Sequence, residues 1–168
     1  MDALLSRTGY LENSHMDLFA EILNYHTSFR MQSVVNVYFP ENIKQISFHQ
    51  RNLQILYSNS PGSSIGHWIC TYYDGQRNHI YDSINAMILN KDQELYLQRL
   101  YSKSTKNVFH RVQQQLNSFD CGLFAIAFAV SICFGKNPEN ERYIPEKMRQ
   151  HAAKIFTSRM LIPFPTST

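Results

Sequence analysis

The stretch Gln115-Leu116-Asn117-Ser118-Phe119-Asp120-Cys121-Gly122, continued by Leu123-Phe124-Ala125-Ile126-Ala127-Phe128-Ala129-Val130, decides how this chain folds. Read on to residue 134, its second part is apolar nearly all round. A helix without a polar face has to lie buried at the centre of a fold. This predicts a central helix over 119–134. The longest unbroken apolar run, 123–130, is eight residues, well short of a membrane span. Cys121 then falls at a helix N-terminus, which carries partial positive charge and free N–H groups. A thiol placed there is readier as a thiolate, and Gly122 beside it leaves room for a substrate backbone. The other reading of such a Cys is a small hydrophobe at a helix start.

Just upstream lie Gln113, Gln114 and Gln115. A Gln ahead of a nucleophilic Cys can supply an oxyanion donor beside the Cys backbone N–H. Three glutamines also make an ordinary polar loop, and nothing in the bare sequence raises Gln115 above its neighbours.

Further upstream, residues 67–73 and 79–84 read as strands joined at Asp74-Gly75, a pair that favours two-residue hairpin turns. With that turn, Tyr73 opposes Gln76 and His67 opposes Asp82. Opposed residues on antiparallel strands share a face, so an imidazole is expected beside a carboxylate, which can fix the His tautomer and stabilise the imidazolium. A longer turn shifts the register. An even shift keeps the two side chains on one face and an odd shift separates them. Taken alone, such a pair is commonly structural.

The remainder sets the class. Apolar spacing predicts a helix over 14–26 capped by Asn13 or Ser14. Short strands are expected at 34–39, 43–48, 52–58 and 107–112. A polar helix with Leu95, Leu97 and Leu100 is expected at 91–101, and a last helix at 145–157 with Pro145 in its first turn. The order is helix, strands, helix, strand, central helix, helix: an α+β fold with a mixed sheet packed on the helix that carries Cys121. At 168 residues the chain suits one domain, 1–168. Its 43% apolar and 17% charged residues fit a packed interior and exclude a charge-rich disordered chain.

A net charge of +3 with no run of four basic residues speaks against a nucleic-acid partner. Three cysteines without a C-x-x-C pair exclude a disulfide framework and a four-cysteine zinc site. Cys70 and Cys133 are expected in the core. Residues 1–11 carry Asp2 and Arg7 and no apolar core segment, so no secretory signal is expected. These features point to a monomer of a reducing compartment, cytoplasm or nucleus, with no membrane partner.

Gly66-His67-Trp68, Ile80-Tyr81-Asp82-Ser83 and the 115–122 stretch together resemble the active-site motifs of the ubiquitin-like-protein-specific cysteine proteases, the SUMO/NEDD8 protease family that shares a fold with the adenovirus protease. The family pattern is His-Trp, an Asp-Ser pair, then Gln-x-Asn-x-x-Asp-Cys-Gly, present here in that order. The resemblance implies a papain-like cysteine protease fold and a hydrolase that cuts after the C-terminal glycine of a ubiquitin-like modifier. It implies Cys121 as nucleophile, His67 as general base and acid, Asp82 as its orienting carboxylate and Gln115 as oxyanion donor, with no metal or cofactor. Trp68 would line the tunnel that admits a Gly-Gly tail; a sheet-packing aromatic is the competing reading. The family often has Trp-Leu-Asn-Asp near its first helix, where this chain has Tyr10-Leu11-Glu12-Asn13. Tyr10 would then be the lid, and Asn13, unable to form the family's ion pair, leaves the preferred modifier open. Segments 58–65 and 89–105 are expected to rim the groove. A polyprotein-processing endopeptidase, a thioester-based acetyltransferase and an inactive modifier-binding module are the alternatives.

Overall fold

The computed structural model describes residues 6, 8–34, 41, 43, 50–59, 66–101 and 105–168. Apart from residues 34 and 43, the strands expected at 34–39 and 43–48 lie outside the described residues, as does most of the segment 58–65.

Four strands form one sheet in the order β1-β2-β3-β4. They are β1 (Asn52–Asn59), β2 (Gly66–Tyr73), β3 (Arg77–Tyr81) and β4 (Lys106–His110). β2 runs antiparallel to both of its neighbours, β1 and β3, and β4 runs parallel to β3. The sheet is therefore mixed, as expected. The parallel pair needs a crossover, which is helix α2 (Lys91–Tyr101). The other helices are α1 (Asn13–His26), α3 (Cys121–Cys133) and α4 (Pro145–Ser158).

Side chains alternate between the two faces of the strands, and so do the cores. Leu53, Ile55, Trp68, Cys70 and Tyr81 join α1, α3 and α4 in the larger cluster. Leu56, Ile69, Tyr73 and Ile80 join Tyr96, Leu97, Leu100 and Tyr101 of α2 in the smaller one. Residues 121–132 of α3 are all buried, which is what a helix without a polar face requires. Cys70 is fully buried, and burial pushes its thiol up. Cys133 is only half-buried, with its thiol raised to about 12 by burial.

Several local expectations are corrected. α1 is capped by Glu12 rather than Asn13 or Ser14, because the Glu12 backbone N–H is taken by Nδ1 of His15. Leu95 is exposed, and Tyr96 takes its place in the small core. The helix expected at 91–101 is found as α2, so most of 89–105 is helical. β3 stops at Tyr81, and β4 covers 106–110 rather than 107–112.

The hairpin turn is longer than two residues. Tyr73 pairs with Asn78, not Gln76. Asp74 Oδ1 accepts the backbone N–H groups of Gln76 and Arg77, both at 2.8 Å, and this side-chain turn outcompetes the tight one. At the same end of the sheet, His79 Nδ1 meets His110 Nε2 at 2.8 Å, between Asp74 and Glu139 on the outer nitrogens. One of the two inner nitrogens must be proton-free, since two N–H groups cannot bond to each other. The pair ties β3 to β4.

Candidate active site

The register moved by two residues, an even shift, and parity survived. Continued one step past Cys70–Tyr81, Asp82 falls opposite Ile69, two residues along β2 from His67 and on the same face. His67 Nε2 and Asp82 Oδ1 meet at 2.6 Å. Asp82 has just left β3, and the loop closes over it. The Ile84 N–H donates to Oδ1 at 3.0 Å and the Ala86 N–H to Oδ2 at 3.3 Å. A carboxylate held this way cannot swing away from the ring.

With Nε2 committed to Asp82, Nδ1 is the nitrogen left to face Cys121, which helps to hold the proton on the ring. Burial pushes the His67 ring down. The hydrogen bond and charge of Asp82, with the nearby Cys121, override it, and His67 is raised to about 9. The ring therefore keeps its proton at neutral pH and stands as a cation beside Cys121. Cys121 is the first residue of α3, and no side chain caps that helix end.

The 115–120 loop is knitted to both partners. The Gln115 backbone N–H donates to the Ser83 carbonyl at 2.9 Å, and the Ser83 hydroxyl donates to Gln115 Oε1. Gln115 Nε2 donates to the Asn117 carbonyl, which settles which way the amide points. Gln113 is spent elsewhere: its amide makes reciprocal bonds to the backbone of Tyr143. The three glutamines thus separate by their partners, and Gln115 is the one joined to the residue after Asp82. Asn85, in the left-handed region at φ 49°, bonds the backbone of Val112 in both directions and ties the two loops once more.

The remaining candidates surround Cys121 differently. Trp68 is buried, donates Nε1–H to the Leu11 carbonyl at 3.0 Å and packs on Tyr57 at 4.8 Å between ring centres. The Tyr57 hydroxyl lies where a Cβ on Gly66 would stand. Tyr10 is 44% exposed and meets Phe119 edge-on at 6.4 Å, two residues from Cys121. A Cβ on Gly122 would stand 2.9 Å from Met16 Cε and 3.0 Å from Leu11 Cβ. On that side the glycine lets α1 pack against α3, a different reason from the substrate approach expected.

Ser83, Asn117, Asp120 and Arg149 received no role from sequence. The first three stand inside the quoted motifs, so a signal was there. Arg149 lies on α4 with no local pattern to mark it. Among the described residues no group of three or more His, Cys, Asp or Glu side chains could hold a metal.

The sequence pattern of the "Ulp1 protease family, C-terminal catalytic domain" matches residues 46–160. No curated protein matches the chain in sequence. Solved structures do match in fold. The C-terminal Ulp1 protease domain in complex with Smt3, the yeast ortholog of SUMO, superposes with TM-score 0.66 at 15% identity, over 94% of this chain and 81% of that one. The Ulp1-like SUMO protease catalytic domain of Chaetomium thermophilum gives TM-score 0.66 at 16% identity, over 94% and 76%. The Xanthomonas campestris effector protein XopD bound to ubiquitin gives TM-score 0.57 at 12% identity, over 89% and 92%. The family match covers well over half of the sequence, and its fold is the one built above: this chain belongs to the Ulp1 protease family and is a cysteine protease.

Proposed function

We propose that the chain cleaves after the C-terminal glycine of a ubiquitin-like modifier, using Cys121, His67 and Asp82 as a triad. The observation that carries this is the connected set Cys121–His67–Asp82 at the start of α3. Relatives of the same fold hold a SUMO ortholog or ubiquitin, which supports a modifier as substrate.

The chemistry follows from the arrangement. Cys121 Sγ attacks the scissile carbonyl as the thiolate paired with the His67 imidazolium. The oxyanion that forms is met by the Cys121 backbone N–H and the Gln115 amide. As the C–N bond breaks, Nδ1 of His67 gives its proton to the leaving amine. Neutral His67 then takes a proton from water, the hydroxide opens the thioester, and the thiolate–imidazolium pair is restored. Asp82 holds Nε2–H throughout. Tyr10 and Trp68 would flank the entering glycines, where a narrow passage excludes side chains, and the modifier's surface supplies the remaining selectivity. Three unpaired cysteines suit a reducing compartment, so the setting proposed for the activity is cytoplasm or nucleus.

The test is a panel of SUMO, ubiquitin and NEDD8 probes with a C-terminal electrophile, offered to wild type and Cys121→Ala. Covalent labelling of wild type by at least one modifier and none of Cys121→Ala is expected. Turnover of short peptides with no modifier labelling sinks the modifier reading, and labelling of Cys121→Ala sinks the triad.

A further inference from the structure

Arg149 stands on α4, and its Nη2 donates to Asp120 Oδ1 at 2.7 Å with both side chains largely buried. Its guanidinium carbon lies 5.6 Å from the centre of the Phe119 ring, within cation–π reach. The other Asp120 oxygen accepts Asn117 Nδ2 at 2.7 Å. Asn117 Oδ1 accepts the backbone N–H groups of Phe119 and Asp120. The Asn117 carbonyl accepts the Gln115 amide. The contacts run unbroken from Arg149 to the proposed oxyanion donor and to the residue before the nucleophile.

The Asp120 carboxylate is an awkward neighbour for a thiolate. It makes no cap on α3, and it is attached one residue before Cys121. Two anions at one helix end compete for the same partial positive charge, and like charges disfavour each other. Arg149 supplies the opposite charge directly on Asp120. The charged groups on the other side of Cys121 are His67 and, behind it, Asp82.

We propose that Arg149 is a positioning residue for catalysis: it clamps the 115–121 loop and cancels the Asp120 charge beside Cys121. This rests on Cys121 as nucleophile and Gln115 as oxyanion donor. Arg149 touches no substrate; it acts through Asp120, Asn117 and Phe119.

The test compares the full chain with Arg149→Met, Arg149→Lys and the double variant Asp120→Asn/Arg149→Met. Four readouts are needed: melting temperature, the rate of Cys121 alkylation by iodoacetamide followed on its own peptide, kcat and KM. Arg149→Met is expected to lose roughly tenfold or more in alkylation rate and kcat with KM near wild type, because a small displacement of reacting groups is costly. The double variant recovers the alkylation rate, since the charge to be cancelled is gone. Arg149→Lys keeps the charge but not the planar group on Phe119. It keeps the alkylation rate and loses severalfold in kcat. A folded Arg149→Met that alkylates and turns over like wild type overturns the proposal. So does a double variant no better than Arg149→Met. Should Arg149→Met fail to fold, wild-type kcat in Arg149→Lys overturns it instead. Alkylation by a small reagent needs no modifier, so this proposal and the modifier reading fail separately.

Discussion

His67 carries the most distinctive charge state in the protein. Its ring is raised from 6.5 to about 9 against the pull of burial, by its bond to Asp82 and by the nearby Cys121. A raised pKa means that the stabilising contribution is complete below about 6.5 and disappears as pH climbs through about 9. Wild type should therefore lose its stability advantage over His67→Ala across that interval, as thermal melts from pH 5 to 10 would show. In the proposed mechanism the same proton serves the leaving amine, so kcat/KM should fall on the alkaline side near pH 9. Asp82→Asn keeps the shape and removes the charge. It should lower kcat by about 10²-fold or more and move the alkaline limb to lower pH, both read from a pH–rate profile. Of these residues, Cys121, His67 and Asp82 were nameable because each sits in a short motif. Arg149 was not, because its partner Asp120 is reached only when α4 folds back across the loop.

At the level of elements, the β2–β3 hairpin shows what a sequence can carry and what it cannot. The two-residue turn was the wrong one, since Asp74 builds its own turn with Gln76 and Arg77. The shared face of His67 and Asp82 still held, because a two-residue period tolerates any even error. α3 was read within two residues of its start because nothing polar interrupts it. Its contact with α1 was not readable. Leu11 and Met16 fill the space at Gly122, and Gly122→Ala should cost about 1 kcal/mol, the overpacking outweighing the better helix propensity of Ala. Urea denaturation checks this. An increase in stability would mean that Met16 and Leu11 yield freely.

Across the whole molecule the sheet separates two cores with different duties. The smaller one, under α2, does not include Cys121, and the larger one carries α3 with Cys121 and Tyr81, the residue before Asp82. Leu100→Ala, at a fully buried site, should cost about 2–4 kcal/mol yet leave the kcat of the folded protein unchanged. Phe128→Ala removes a ring that packs against Tyr81 and Tyr143. It should cost about 3–5 kcal/mol and lower kcat as well. Denaturant melts paired with activity per folded molecule separate the two cases.

The sequence by itself determined the buried helix and the α+β order and marked the residues of the proposed triad, because apolar periodicity and short motifs are local properties. Only the tertiary structure decided the turn that sets the register, the partner that singles out Gln115 from three glutamines, the neighbours that require Gly122, and the Arg149–Asp120 pair behind Cys121. Each of those depends on which distant side chain arrives within a few ångströms. That is settled by the packing of α1 and α4 around the sheet, and no local spacing encodes it.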